Sequence, residues 1–308
     1  MIRHYIMSTV RSARRAKFYV CLNLTGLGLG LACCLGVGIF VAQQFSFDRH
    51  HTKAQRIYRL LWEIRGPGGD MVNTLTTQGR ITGVLRTEFP EVERTIRTFV
   101  REMSVERQGR QYSAMGCFAD PEIFDVFDYP MVQGNPLAIR NPGSAFLTQS
   151  AAVRIFGSED PIGQEFHVDY KWGLVGDFTV AGILADMPES TSSLTTRFDF
   201  LTATIPKPFR DRRWNGSGPL FTYLLLKEGA DASALEARLT NTVNRLIPDG
   251  VSRLHGQVDS KTQYHLQPLT RIHLYSRADY GVSEPGGATS RMFACASQSG
   301  SSCSSWPV

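Results

Sequence analysis

Two adjacent histidines, His50 and His51, are the residues of this 308-residue chain whose type most readily suggests chemistry. They follow Asp48, and imidazole and carboxylate groups are common metal ligands. The spacing is nevertheless not that of a zinc site, and adjacent side chains of a helix point in different directions. We therefore predict a surface pair of histidines and no metal site.

Two clusters of charged residues also invite a chemical interpretation. The first consists of the acids around Pro121: Asp120, Glu122, Asp125 and Asp128. The second is a basic and aromatic stretch: Arg210, Arg212, Arg213 and Trp214. Paired carboxylates can act as general acid and base, and arginines bind anions. A solvated turn and a surface loop are the favoured interpretations of these two clusters.

The motifs of common enzyme classes are missing from the sequence. It has no Walker A motif, so it does not bind ATP by that route, and it has no G-x-S-x-G or H-E-x-x-H motif. Cys117 is the only cysteine in the body of the chain, so we expect no internal disulfide framework. The sequence predicts a protein that is not an enzyme, with no catalytic, cofactor-binding or metal-binding residues.

An apolar run near the start is the dominant element. Residues 18–47 carry no charge, and about 20 apolar residues are enough for a helix to cross a bilayer. We predict a transmembrane helix over residues 18–44. Cleavage is not expected, because the run is too long for a signal peptide and no good cleavage site follows it. The sequence around Cys33 has only a faint likeness to a lipoprotein site.

Small residues interrupt this apolar run. Gly26 and Gly30 form a G-x-x-x-G pair, and Cys34 continues the small face. Such a face lets another helix approach closely. We predict that the helix packs against partner helices through Gly26, Gly30 and Cys34.

The leader before the helix, residues 1–17, is basic and contains no acid. Its charged residues are Arg3, Arg11, Arg14, Arg15 and Lys17. The positive-inside rule favours a cytoplasmic N-terminus, and a long C-terminal domain can cross the membrane regardless of its charge. The apolar residues of the leader share one helical face, which is typical of a helix lying on a membrane surface. A solvated basic leader is the alternative.

The body alternates predicted strands and helices, so the fold class is α+β, with two subdomains. Strands are expected at 56–64, 95–101, 105 onward, 112–118, 145–147, 165–168, 178–184, 221–226 and 264–269. Helices are expected at 76–88, between Thr148 and Gly157, and at 231–247, the last with a capping box of Ser233 and Glu236. The net charge of +5 is mild and spread out, so nucleic acid is not an expected partner.

The order of several short motifs carries a family resemblance. They are Phe47-Asp48-Arg49-His50, Ala54-Gln55-Arg56-Ile57-Tyr58-Arg59, Phe89-Pro90-Glu91-Val92, Phe124-Asp125-Val126-Phe127, Leu147-Thr148-Gln149-Ser150, Asp160-Pro161-Ile162-Gly163, Asp186-Met187-Pro188-Glu189 and Leu269-Thr270-Arg271-Ile272-His273. With the helix before them, they resemble the N-terminal half of an ABC-transporter permease of the MacB/FtsX type. No single motif is specific, but their order and spacing are, over about residues 1–287.

The resemblance implies a transmembrane helix followed by a two-lobed, mixed α/β periplasmic core domain at residues 45–285. One lobe would comprise about 46–100 plus 220–275, and about 101–219 would form an inserted lobe. Permeases of this family have four membrane helices and pair with a second permease protomer, identical or related. A separate or fused ABC ATPase binds the ATP. Its motion passes across the lipid bilayer of the inner membrane to the periplasmic domain, for export or mechanotransmission.

The sequence departs from the family after Gly287, where a second apolar helix would follow. Residues 286–308 are irregular and rich in serine, with Cys295 and Cys303 among them. We expect a frameshifted or truncated product rather than a natural flexible tail. That expectation puts transport by this chain alone in question.

Two other classes of protein stay open. A single-pass, membrane-anchored extracytoplasmic sensor or interaction domain needs only one helix, although 17 residues are too few for a cytoplasmic output domain. A membrane-anchored hydrolase would need a nucleophile and a base that converge in a cleft.

Overall fold

The computed structural model describes residues 17–65, 71–170, 174–188, 190–191, 197–205, 209, 220–246 and 263–281. Most of the basic leader, the stretch of Arg210 to Trp214 and the serine-rich tail lie outside these residues, and so do the predictions made for them. The chain divides into two compact units, Met1–Ser46 and Phe47–Val308.

The first unit contains α1 (Lys17–Phe45), a helix of 29 residues with no buried residue. It confirms the predicted apolar helix, and in the described part of the chain it is the one helix long and apolar enough to cross a membrane. A Cβ added at any of its glycines would meet no atom of the described residues within 4 Å.

The second unit is built from one large sheet and short helices. Its strands are β1 (Ile57–Arg65), β2 (Met71–Thr74), β3 (Val92–Arg107), β4 (Arg110–Ala119), β5 (Met131–Gly134), β6 (Ser144–Thr148), β7 (Glu165–Tyr170), β8 (Leu174–Leu184), β9 (Phe200–Thr202), β10 (Phe221–Leu226) and β11 (Gln263–Pro268). Its α-helices are α2 (Ile81–Glu88), α3 (Ile123–Val126), α4 (Gln149–Phe156), α5 (Ala232–Leu246) and α6 (Ile272–Tyr280). Three 3₁₀ turns accompany them: Ala54–Arg56, Pro136–Arg140 and Leu269–Arg271.

The sheet is open at one end and closed at the other. The 11 strands follow the order β11-β1-β10-β3-β4-β9-β6-β8-β5, with β2 on β1. Strand β7 pairs with both β3 and β8, so the series β3-β4-β9-β6-β8-β7 returns to β3 as a ring. The second unit therefore contains a flat region, β11-β1-β10-β3, and a small barrel that shares β3 with it.

Strand β3 joins the flat region to the barrel. It has 16 residues, which corresponds to about 50 Å of extended chain. Its first half pairs with β10, with Thr98 opposite Phe221, and its second half pairs with β7, with Ser104 opposite Asp169. The sequence predicts two separate strands here, which is wrong, because Glu102 to Ser104 pair with β4 and continue the strand without a turn. The predicted lobe boundary near residue 100 falls inside β3, and the two-lobed division stays a prediction.

Three clusters of buried hydrophobic residues join the helices, the flat region and the barrel. Leu60, Trp62 and Leu224 pack beneath α2 and α5 on one face of the flat region. The opposite face packs against a cluster that includes Phe127 and Leu269. A third cluster, rich in phenylalanine, fills the barrel. Because β10 is covered on both faces, all six of its residues are buried, which explains its continuous apolar sequence.

The helix termini confirm some predictions and correct others. Thr148 caps α4 by accepting from the Ala151 amide, and Gly157 ends that helix at a φ of 65°, as predicted. Helix α2 begins at Ile81, later than the predicted residue 76. The predicted capping box of Ser233 and Glu236 is wrong: Asp231 caps α5 by accepting from the amides of Ser233 and Ala234. Glu236 is thereby free to bond elsewhere.

Candidate functional site

The second unit begins with residues 47–56, here called the neck segment, which follow α1 in the chain and lead into β1. This segment contains both histidines that the sequence singles out. It ends in the 3₁₀ turn Ala54–Arg56, which is set by amide-to-carbonyl bonds from Ala54 to His51 and from Arg56 to Lys53. These residues connect the preceding chain to β1. Their contacts therefore determine which elements of the second unit would respond to a movement of that chain.

The first residues of the neck segment are anchored to distant parts of the unit. The ring of Phe47 stacks on the imidazole of His273 in α6, with centroids 3.4 Å apart and planes 3° from parallel. Asp48 is fully buried, and its amide donates to the Ser190 carbonyl at 2.8 Å. Asp48 has a φ of 57°, the left-handed region that costs most residues energy. Aspartate visits this region more readily than most residues, and the surrounding contacts hold Asp48 in it.

His51 lies in the core and not on the surface, so the predicted surface pair is wrong. Only 2% of His51 is exposed, and its ring contacts those of Phe127 and Tyr129. Its Nδ1 accepts the Asp128 amide at 3.1 Å. Burial, reinforced by the adjacent His50 and opposed by Asp128, lowers the pKa of His51 to about 4. His51 is therefore neutral at physiological pH, with its proton on Nε2.

His50 is half-buried, and burial lowers its pKa against the opposing effect of Asp128. Its ring centroid is 4.0 Å from that of His51. Because His51 uses Nδ1 as an acceptor, that ring has no lone pair left for a metal ion. Among the described residues, no group of three or more His, Cys, Asp or Glu side chains could hold a metal ion.

The loop that contains α3 holds the middle of the neck segment. The Asp128 carboxylate accepts from the Thr52 hydroxyl at 2.9 Å and from the Thr52 amide. The Lys53 ammonium donates a hydrogen bond to the Asp125 carbonyl at 2.6 Å. This loop leads from β4, which is a strand of the barrel, to β5. These bonds therefore join the neck segment to the end of a barrel strand.

The predicted cluster of acids around Pro121 is not a cluster in the structure, because its members have different partners. Asp120 is buried and receives two bonds from the Arg97 guanidinium, at 2.7 and 2.9 Å, and one from the Arg97 amide at 2.8 Å. The solvated turn is thus wrong for Asp120, which fixes the end of β4 to β3. Asp128 serves the neck segment, as described above. No pair of carboxylates is left for acid–base chemistry here.

The end of the described chain is fixed to the same sheet. Arg59 of β1 is fully buried and donates to Gln267 of β11 at 2.6 Å. Gln267 donates in turn to the Ser276 hydroxyl in α6 at 2.8 Å. Since Phe47 stacks on His273 of the same helix, α6 contacts both the beginning of this unit and the strands β1 and β11.

Two clefts open elsewhere on the described surface. One, of about 230 Å³, is lined by residues that include Ser150, Asp186 and Asp199. The other, of about 590 Å³, lies along β3 and β4 and includes Glu102, Tyr112 and Asp169. In the first the Ser150 hydroxyl donates to Asp186 at 2.6 Å, and in the second the Ser113 hydroxyl donates to Glu102. Among the described residues, no histidine lines either cleft to act as the base of such a pair. The neck segment, in contrast, joins elements that are far apart in sequence, and its chemistry is that of positioning.

The sequence predicted the neck segment only as part of a family pattern. Its other predicted site residues, Gly26, Gly30 and Cys34, lie in α1 of the first unit, where Cys34 is exposed. Nothing in the structure tests their role in helix packing. The partners Asp128 and His273 went unrecognised, because bonds between residues so far apart in sequence leave no local signal.

Residues 20–242 match the family model of the MacB-like periplasmic core domain. No curated protein matches the sequence. Among solved structures, the chain is similar to a domain of a protein described as a permease from Porphyromonas gingivalis. Their identity is 19%, the TM-score is 0.59, and the match covers 71% of this chain and 91% of that one.

Two further solved structures are similar to the chain at lower scores. The periplasmic region of MacB from Actinobacillus actinomycetemcomitans is 14% identical, with a TM-score of 0.47, 71% of this chain covered and 91% of that one. The extracellular domain of the noncanonic ABC-type transporter YknZ from Gram-positive bacteria is 10% identical, with a TM-score of 0.47, 68% of this chain covered and 99% of that one.

Proposed function

The chain belongs to the family of the MacB-like periplasmic core domain, and from that premise we propose that it is a permease subunit of an ABC-type transporter. The family and the apolar helix together support a membrane-anchored protein whose main domain lies outside the cytoplasm. In the proposed orientation the basic leader is cytoplasmic, which agrees with the positive-inside rule. Permeases of this family are generally not catalytic, and we assign no catalysis to this chain.

The proposed mechanism is the transmission of motion. A separate ABC ATPase binds ATP in the cytoplasm, and a second permease protomer pairs with this one through α1. Movement of α1 reaches the neck segment, which directly follows it in the chain. From there it would pass to the loop of α3 through Asp128 and to α6 through Phe47 and His273.

The observation that carries this proposal is the way the neck segment is held. A passive tether between an anchor and a domain needs no buried groups, and a flexible linker would serve. Here Asp48 and His51 are buried, Asp48 has a left-handed backbone, and Asp128 accepts two bonds from Thr52. Interfaces packed in this way move between discrete arrangements and do not deform gradually, which is what transmission requires.

Strand β3 supports the second half of the proposed path. It runs without interruption from the flat region into the barrel, and the Arg97–Asp120 pair fixes its middle to β4. A rotation of the flat region would therefore turn the barrel with it. The barrel is the part that we propose acts on a substrate or a partner protein outside the membrane.

Purification from native membranes tests the proposal. The chain as encoded in its own genome is tagged and extracted in mild detergent, and the proteins that accompany it are identified. We expect an ABC ATPase and a second permease protomer in stoichiometric amount. As a control, tagged membrane proteins with known partners are purified in the same way. If these retain their partners while this chain is purified alone, the permease assignment fails in favour of a single-pass sensor or interaction domain.

A further inference from the structure

His265 lies on the edge strand β11 between two carboxylates that come from different elements. Its Nδ1 is 3.0 Å from Glu236 of α5, and its Nε2 is 3.4 Å from Glu63 of β1. A carboxylate accepts and does not donate when ionised, so both bonds form only if both ring nitrogens carry protons. The arrangement therefore favours the imidazolium cation.

The two carboxylates stand at opposite nitrogens of the ring, so they do not converge on one point. That geometry excludes a metal ion bound jointly by all three groups, because only one carboxylate could reach the ion beside a given nitrogen. The bridge is an ionic one, and the side chains of His265, Glu63 and Glu236 are 24%, 17% and 32% exposed. Partial burial keeps such a pair stronger than one on the surface.

The same carboxylate of Glu236 also protects the edge of the sheet. It accepts the Leu266 amide at 2.7 Å, and the Thr240 hydroxyl accepts the Tyr264 amide at 3.1 Å. An edge strand exposes unpaired amides, and here helix α5 covers them. If Glu236 were repelled from His265, the bond to Leu266 would be disturbed as well.

We propose that His265, Glu63 and Glu236 form a pH-operated clamp that holds β11, and α6 after it, to the rest of the sheet. The clamp is closed while His265 is protonated. When the proton leaves, one nitrogen presents a lone pair to a carboxylate, and attraction at that contact becomes repulsion. The clamp involves β11 and α6 and does not depend on the proposed transport function.

The other charged and titratable groups around the clamp are few in the described part of the chain. The Tyr280 ring of α6 lies 5.9 Å from His265, and its own pKa is raised by burial and by Glu236. Arg59 of β1 and Arg271 and Asp279 near α6 also influence Tyr280. Tyr280 is neutral wherever His265 titrates, so the switch belongs to His265 and its two carboxylates.

The direction of the pH effect follows from the neighbours of His265. The bond to Glu236 is the largest influence and raises the pKa of His265; Glu63 adds to it, and burial opposes it. In the unfolded chain a histidine has a pKa of about 6.5. The stabilisation is therefore complete below about pH 6.5 and is lost as the pH rises through the folded pKa.

Hydrogen exchange of the full chain in phospholipid nanodiscs tests the clamp. Exchange is followed by mass spectrometry at about pH 6 and about pH 9, after correction for the intrinsic rate. We expect peptides over residues 263–281 to lose protection at the higher pH while peptides over β3 and β4 do not. The expected change is on the order of tenfold for each pH unit by which the folded pKa exceeds the unfolded one.

Three variants separate the clamp from a general effect of pH. In His265→Gln the side chain cannot titrate, so exchange should show no pH-dependent step. Glu63→Gln should move the titration of His265, followed by NMR of its ring proton, to lower pH. His167→Asn is the matched control, because His167 also has a raised pKa beside a single carboxylate, Asp177, but lies on β7; it should leave the step unchanged.

Two outcomes would overturn the proposal. One is equal protection of residues 263–281 at both pH values in the unmodified chain. The other is a pH step in His265→Gln as large as that of the unmodified chain. If a variant fails to fold, the NMR titration of His265 in the unmodified chain still decides: a midpoint at or below that of a free histidine refutes the clamp.

Discussion

At the scale of single residues, the surroundings of two histidines shift their pKa values in opposite directions. His51 is neutral because it is buried among aromatic rings and uses Nδ1 to accept an amide. The pKa of His265 is raised because its ring lies between two carboxylates. Folding therefore disfavours the protonation of His51 and the deprotonation of His265. The two histidines lie in different parts of the second unit.

The first prediction concerns acid and His51. The unfolded chain takes up a proton at His51 below about pH 6.5, and the folded chain only below about 4. Stability should therefore fall as the pH drops through this interval, by about 3 kcal/mol from His51. Urea denaturation at a series of pH values, followed by tryptophan fluorescence, measures the loss.

His51→Asn is the matched variant, because its side-chain oxygen can accept the Asp128 amide without taking up a proton. The difference in stability between the two proteins should change by about 3 kcal/mol across the interval. A difference that stays constant with pH would show that His51 is not held neutral.

The second prediction concerns the buried ion pair at the middle of β3. Asp120→Asn leaves the Arg97 guanidinium buried without its counter-charge, and it should cost about 3 kcal/mol of unfolding free energy. Glu93→Gln removes the partner of Arg56 in a more exposed pair, with side chains 25% and 36% exposed, and it should cost less than about 1 kcal/mol. Equal losses in the two variants would contradict the structural role of Asp120.

At the scale of elements, close packing between strands decides where the barrel tolerates change. A Cβ at Gly182 of β8 would lie 2.5 Å from the Phe146 ring and 2.9 Å from the Gln133 carbonyl. The third prediction is that Gly182→Ala destabilises the domain by about 1–3 kcal/mol through overpacking.

Gly83→Ala is the control for this change. It lies in α2, where an added Cβ meets nothing within 4 Å, and it should stabilise the domain by about 0.5–1 kcal/mol. Thermal unfolding of both variants gives the comparison. If Gly182→Ala is as stable as Gly83→Ala, the contact between β6 and β8 is looser than described.

The fourth prediction tests the small face of α1. Residues four positions apart share a helical face, so Gly26→Ile combined with Gly30→Ile should reduce pairing between protomers, measured by cross-linking in membranes. Gly28→Ile adds the same bulk on a different face and should leave pairing unchanged. If the Gly26→Ile, Gly30→Ile double variant and Gly28→Ile both lose pairing, or if neither does, this face of α1 is not the contact between protomers.

Elements were more predictable from the sequence than the contacts between them. The β10 strand, the apolar α1 helix and the cap at Thr148 follow from local patterns of apolar residues and side-chain oxygens. The burial of His51 could not be foreseen, because Asp128 lies 77 positions away. Glu236 resembled a capping residue, but Leu266, 30 positions on, is what it bonds. Closure of the barrel by β7 left no local signal either.

The whole molecule combines a helix that suits a membrane with a domain whose first residues are buried and bonded. The neck segment contacts α6 at one point and the loop of α3 at another, and β3 continues from the flat region into the barrel. In our account these links turn movement of α1 into movement of the barrel. The account depends on the neck segment acting as a stiff connection.

The measurement that tests this claim most directly is hydrogen exchange of the full chain in nanodiscs with its co-purified ATPase, with and without ATP. We predict that ATP changes the exchange of residues 47–56 and of the barrel strands together. With Asp128→Ala, the change at residues 47–56 should remain while that in the barrel is reduced, because only the path through α6 and β3 is left. Exchange that is the same with and without ATP, or a barrel response in Asp128→Ala as large as that of the unmodified chain, would contradict transmission through the neck segment.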